Sequence, residues 1–134
     1  MSEPIVFLVD DDAGVRKALA RLLRACSFEV DTFESGMKFL ESLPLRIPEC
    51  LIADLQMPEM TGLQLRHQLV RAGIKIPTII ITAHDEVGVR ERCEGAGASA
   101  YLLKPLQPAL LIAAINAVTG AAAKERGQEA PSSG

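Results

Sequence analysis

Five apolar runs, each followed by a stretch of helical periodicity, predict an α/β fold: a five-stranded, doubly wound parallel sheet joined by right-handed crossovers. Most of the runs are continuous rather than alternating, as strands buried on both faces require. Polar residues close several of the runs, at the edge where open sheets bind ligands. At 134 residues the chain is one domain long enough to bury a real core, with 49% hydrophobic and 23% charged residues.

Ile5–Val9 is the first strand, and VDDD at Val9–Asp12 ends it in three acids. Asp12 lies at the mouth of the following helix, where it reads as an N-cap rather than a metal ligand. That helix buries Val15, Ala18, Leu19, Leu22, Leu23 and Cys26 and turns Arg16, Lys17, Arg21 and Arg24 to solvent. Phe28–Phe33 alternates into the second strand, and Ser35–Leu43 forms a short helix stopped near Pro44. Pro48 precedes the third strand, Leu51-Ile52-Ala53, which ends in Asp54 before Met57-Pro58 breaks the chain. Thr61 and Gln64 fit a capping box, starting a helix at about Gly62 that buries Leu65 and Leu69 and stops at Gly73.

Pro77–Thr82 is the fourth strand, its Ile79-Ile80-Ile81 run being β-branched. The next helix, about Glu86–Glu94, is interrupted by Gly88 and bounded by Gly95 and Gly97, so it is short and adjustable. Ala100–Leu103 is the fifth strand, and Leu111, Ala114, Ile115 and Val118 mark the core stripe of the last helix. Ile112, Ala113 and Ala117 fall away from that stripe and leave apolar surface. Residues 1–120 therefore form the domain, and 121–134 have no apolar period and read as a flexible tail.

Asp54, the acids at Asp10 and Asp11, Thr82 and Lys104 all fall at the C-terminal ends of strands. Clustered carboxylates repel, a hard divalent cation relieves the repulsion, and an amine and a hydroxyl beside them suit phosphate chemistry. The motifs LVDDD, ADLQMPEMTG, IIITAH and YLLKPL, in this order, resemble the receiver domains of two-component response regulators over about residues 4–120. The resemblance implies the flavodoxin-like, CheY-like strand order 2-1-3-4-5, which periodicity alone does not give.

It also implies roles. Asp54 is the phosphoacceptor, taking a phosphoryl group from a histidine kinase or a phosphotransfer protein. Mg²⁺, with Mn²⁺ as a substitute, is held by Asp11 and Asp54, by the backbone carbonyl of Gln56, and by Asp10 through water. Lys104 neutralises charge on the phosphoryl oxygens, Thr82 moves to hydrogen-bond them, and Tyr101 is the aromatic that follows the switch hydroxyl. The Lys104-Pro105 bond is cis in the family. His84 lies where the family varies and reads equally as a tuner of phosphoryl hydrolysis or as an exposed loop residue. Leu106 replaces the aromatic often found after the Lys-Pro pair. Activation implies a homodimer, or a partner, on the face made by the fourth helix, the fifth strand and the fifth helix. Kinase recognition runs by analogy along the first helix, where Val15 and Leu19 lie.

Such a protein is a signalling phosphoacceptor that catalyses only its own phosphotransfer and dephosphorylation. A net charge of −3 with no Lys/Arg block argues against a nucleic-acid surface on this domain. No apolar run approaches a membrane span and no secretory signal is evident, so a cytoplasmic location and three reduced, mostly buried cysteines are expected. Two alternatives stand beside this reading. A haloacid-dehalogenase-type phosphatase would use Asp10-Asp11-Asp12 as its Asp-x-Asp but needs a further acidic motif after the lysine, and no acid follows Lys104 until Glu125. The receiver of a FixJ-like DNA-binding transcription factor is the other, against which a stand-alone receiver is the expectation.

Overall fold

In the computed structural model, which describes residues 3–43 and 45–119, the elements follow one another as the sequence predicts. They are β1 Ile5–Val9, α1 Ala13–Ala25, β2 Glu29–Phe33, α2 Gly36–Ser42, β3 Cys50–Asp54, α3 Gly62–Arg71, β4 Thr78–Thr82, α4 Val89–Gly95, β5 Ala100–Leu103 and α5 Pro108–Val118. All strand pairs are parallel and the order is β2-β1-β3-β4-β5. Pro44 and the 121–134 tail lie outside the described residues. Among the described residues no helix is long and apolar enough to cross a membrane.

The period of two along each strand divides the core between the two faces of the sheet. Val6, Leu8, Ile52, Ile79 and Ile81 point toward α1 and α5, where Leu19, Leu23, Leu111 and Ile115 meet them. Phe7, Val9, Leu51, Ala53 and Ile80 point toward α2, α3 and α4, against Phe39, Leu65, Leu69 and Cys93. Because both faces are covered, β3 and β4 are buried along their whole length.

Local chemistry sets the helix ends. The Asp12 carboxylate accepts from the N–H groups of Gly14 (2.8 Å) and Val15 (3.1 Å), so Asp12 caps α1 as expected. Thr61 and Gln64 form the reciprocal capping box of α3, at 3.0 and 2.9 Å. Helix α1 ends in a left-handed residue, Ser27 (φ 69°), with the Phe28 N–H returning to Leu23 O at 3.0 Å. That bond assigns Phe28 to the end of α1 and starts β2 one residue later than the alternation predicts.

The β2 edge is guarded. Arg24 donates to Val30 O at 2.9 Å, and Arg46 pairs with Asp31 at 2.9 Å and with Glu29 on the same face of the strand.

Further sequence expectations need correction. Gly88 does not interrupt α4: its φ of 84° makes it the left-handed N-cap, and the helix begins at Val89. In α1 the buried face holds Ala20 in place of Ala18, and Cys26 is exposed at the helix end while Cys50 and Cys93 are buried. Strand β4 begins at Thr78, although the Pro77 carbonyl still accepts from Leu51 N–H at 2.9 Å. Ile112 packs partly buried against the core, because it lies three residues before Ile115 on the same side of α5. Ala113 and Ala117 are exposed as expected, and the large apolar residues exposed near them are Leu110 and Leu103.

Candidate functional site

Asp54 is the last residue of β3, and only 6% of it is exposed. The chain leaves the sheet under restraint: Leu55 N–H donates to Ile81 O (2.8 Å), and Gly62 N–H returns to Leu55 O (3.0 Å). Leu55, Met57 and Met60 are buried beneath the loop, and Glu59 takes a left-handed φ of 70° to bring the chain back. A Cβ on Gly62 would lie 2.6 Å from the Asp54 carbonyl oxygen, so α3 starts against the backbone of Asp54 itself. Nothing in the periodicity signals this approach; only the capping box places Gly62 at the helix start.

Asp10 follows β1 and is fully buried. Its backbone is fixed on both sides, the N–H donating to Phe33 O (3.1 Å) and the carbonyl accepting from Arg16 (2.6 Å). One carboxylate oxygen accepts from Asp12 N–H (2.9 Å), and the other meets Lys104 Nζ at 3.0 Å. Lys104 Nζ also lies 3.4 Å from Asp54 Oδ2. Lys104 is delivered by the end of β5, its N–H donating to Thr82 O at 2.8 Å, and the Lys104-Pro105 peptide is cis, as the resemblance implies.

One ammonium thus serves two buried carboxylates. Burial raises the pKa of Asp54 above its ordinary value and the Asp10 charge raises it further, against the smaller opposing pull of Lys104. For Lys104, burial alone would lower the pKa, but the hydrogen bond and charge of Asp10, joined by Asp54, hold it above its usual value. The exposed Asp11 adds a third carboxylate, and oxygens of Asp10, Asp11 and Asp54 lie within 4.8 Å of one another. A negative excess of hard oxygen donors in so small a space fits Mg²⁺, which takes few protein ligands and keeps several waters.

Thr82 ends β4 fully buried. Its hydroxyl donates to His84 O (3.2 Å) and accepts from His84 N–H (3.0 Å), so it closes its own turn. Tyr101, on β5, is buried against the face that carries α3 and α4. Its hydroxyl donates to Asp85 Oδ1 at 3.2 Å and the Arg90 guanidinium sits 4.7 Å from its ring centroid. Burial first, then the Asp85 hydrogen bond and charge, raise the Tyr101 pKa. The sequence-predicted residues Asp10, Asp11, Asp54 and Lys104 therefore come together, with Thr82 beside them at the next strand end. His84 is an exposed loop residue and Leu106 packs partly buried behind the lysine loop. Asp85 and Arg90 were not signalled by any motif. Neither was Arg66, which donates to Ala96 O (3.1 Å) and Ile76 O (2.9 Å) and so ties α3 to the end of α4.

A 2-1-3-4-5 parallel sheet with this acid, amine and hydroxyl rim defines the CheY-like receiver class. The chain belongs to the response regulator receiver domain family, whose model matches residues 6–116. It is 34% identical over 122 residues to the response regulator protein TodT of Pseudomonas putida, covering 91% of this chain and 54% of TodT. Among solved structures, FixJ-N matches with a TM-score of 0.80 and 36% identity, covering 87% of this chain and 93% of that one. A response regulator receiver protein from Burkholderia phymatum matches with a TM-score of 0.77 and 46% identity, covering 87% and 94%. The chain is thus a receiver domain of two-component signalling and spans about half the length of TodT. The phosphatase alternative has no support in these relatives.

Proposed function

We propose that this receiver accepts a phosphoryl group on Asp54 from a phosphohistidine of a sensor kinase or phosphotransfer protein, and that the phosphoryl group then switches its surface. The observation that carries the reading is the shared ammonium: Lys104 lies 3.0 Å from Asp10 and 3.4 Å from Asp54 at adjoining strand ends. An Asp54 carboxylate oxygen attacks phosphorus and forms the P–O bond. The P–N bond to the donor imidazole breaks, and its electron pair leaves on the nitrogen. Lys104, held charged by its carboxylate partners, offsets the negative charge that gathers on the phosphoryl oxygens. Asp10, Asp11, Asp54 and the Gln56 carbonyl would hold Mg²⁺, whose charge screens the carboxylates and the incoming phosphoryl oxygens from each other.

After transfer, the Thr82 hydroxyl leaves His84 to hydrogen-bond the phosphoryl oxygen, and Tyr101 follows. The output face is α4, β5 and α5, where Leu103 and Leu110 are 42% and 54% exposed, and we assign it to a homodimer or a protein partner. That output includes DNA binding if the receiver serves a regulator of the FixJ type, a reading supported by its 38% identity over 105 residues to the DNA-binding transcriptional regulator NtrC of Escherichia coli. Labelling with a phosphohistidine donor or a small phosphodonor tests the core claim. Wild type takes up one phosphoryl group only with Mg²⁺ present and Asp54→Asn takes up none. Full labelling of Asp54→Asn, or of wild type in excess chelator, defeats the assignment.

A further inference from the structure

We propose that Asp85 is a positioning residue of the switch: its carboxylate links the Thr82 turn to Tyr101, and Arg90 passes the pose of Tyr101 on to α4. The proposal rests on the phosphoacceptor reading, but the link itself is a property of the resting molecule.

The chain of contacts is continuous. The Thr82 hydroxyl is closed onto both backbone groups of His84, at 3.2 and 3.0 Å. Asp85 comes next, and its Oδ1 accepts from the Tyr101 hydroxyl at 3.2 Å. Only 4% of Tyr101 is exposed, and a phenol so deeply set needs a hydrogen-bond partner. Asp85 is the partner it has among the described residues. Over the ring lies Arg90, at 4.7 Å from the centroid, and Arg90 belongs to the first turn of α4.

The stretch between these contacts is built to move. Residues 83–87 are exposed, Val87 entirely so. Gly88, with φ 84°, joins the loop to α4 through a conformation that L side chains rarely adopt. At the far end of α4, Arg66 holds the Ala96 carbonyl at 3.1 Å. Helix α4 is therefore anchored at its C-terminal end and jointed at its N-terminal end. When Thr82 turns toward a phosphoryl group on Asp54, His84 loses both of its bonds to the hydroxyl. The loop is then freed at that end, and the Asp85–Tyr101 bond is its remaining side-chain tie to β5 among the described residues. Loop motion must carry Asp85, and Tyr101 with it, and the stacked Arg90 conveys the change to the jointed end of α4.

The chain has one tyrosine and no tryptophan, so tyrosine fluorescence reports Tyr101 alone. Full-chain wild type, Asp85→Ala and Asp85→Asn are compared with and without Mg²⁺ and beryllofluoride as phosphoryl mimic. Labelling of Asp54 by a small phosphodonor is followed in parallel. In wild type the tyrosine signal changes on activation. In Asp85→Ala that response falls by about tenfold, as loss of a hydrogen bond to a charged acceptor predicts, while Asp54 labelling stays within about twofold. Asp85→Asn keeps an accepting oxygen and restores the response, which a merely structural role would not require. In the resting protein, amide exchange over residues 83–88 rises by about tenfold in Asp85→Ala. A full tyrosine response in Asp85→Ala overturns the proposal, as does a wild-type signal that ignores activation while Asp54 is labelled. No label on Asp54 in wild type overturns the phosphoacceptor reading instead, and the resting exchange rates then decide the Asp85 link by themselves.

Discussion

Gly62→Ala separates two effects of opposite sign. Near the start of an exposed helix, alanine for glycine stabilises by up to roughly 1 kcal/mol. Here the added Cβ would lie 2.6 Å from Asp54 O, 3.1 Å from its carbonyl carbon and 3.2 Å from Leu55 Cα. All three atoms are backbone, so no side chain can rotate away. Restoring a comfortable separation of about 3.5 Å means moving α3 and the end of β3 apart by roughly 1 Å. Overpacking of this kind costs about 1–3 kcal/mol, which outweighs the helix gain and leaves a net loss of about 1–2 kcal/mol. In a domain of this size the melting temperature falls by about 3–8 °C. The displaced group is the backbone of Asp54, so phosphorylation by a small donor slows as well, by up to about 10²-fold for a shift of 1 Å. Thermal melts and labelling rates are the assays, with Gly95→Ala as control because nothing among the described residues lies within 4 Å of its Cβ position. A Gly62→Ala protein as stable as Gly95→Ala, with an unchanged labelling rate, would refute the steric argument.

Metal titrations give a second test: Asp11→Asn weakens Mg²⁺ binding most and Asp10→Asn next, each by about tenfold or more through lost charge. Asp12→Ala leaves the affinity nearly unchanged and lowers stability by about 1 kcal/mol through the lost α1 cap; the ranking fails if it weakens the site most. Because the folded pKa of Asp54 is raised, its neutral form stabilises the fold below its unfolded pKa, and that stability is lost as pH rises through the folded pKa. In chelator, Asp54→Asn is therefore more stable than wild type at neutral pH, and the gap closes on acidification. Denaturant titrations at several pH values check this, and a gap that widens toward acid contradicts it. Leu110→Glu lowers the activated dimer fraction by at least about tenfold in sedimentation, whereas an undiminished dimer moves the interface elsewhere.

Strands were legible because double burial forces continuous apolar runs, and the rim was legible because polar residues interrupt those runs at one end. Asp54, Lys104 and Thr82 needed no tertiary knowledge beyond that. Strand order came from family resemblance, since nothing in a run such as Ile79-Ile80-Ile81 says which strand lies beside it. Where alanines dilute the pattern the buried face is less sharply marked: the sequence does not tell Ala18 from Ala20, and the stripe through Ile115 is wide enough to include Ile112. Gly88 is ambiguous for a different reason: a glycine that starts a helix with positive φ and one that weakens a helix look alike in one dimension. Gly62 and the Asp85–Tyr101 contact depend on approaches between separate elements, for which no local pattern exists.

The guarded β2 edge bears on how this protein behaves when crowded. An open edge strand offers its outward carbonyls and amides as a template on which another chain can add itself, the first step toward insoluble fibres. Arg24 occupies the outward Val30 carbonyl, and Arg46 lays a cation across the acids of the same strand. The Arg24 contact is to a neutral carbonyl, so salt that screens the Arg46 pairs leaves it largely in place. In concentrated salt the outward Val30 carbonyl thus stays covered by one arginine of α1, whose place in the sequence gives no hint that it shields a strand edge.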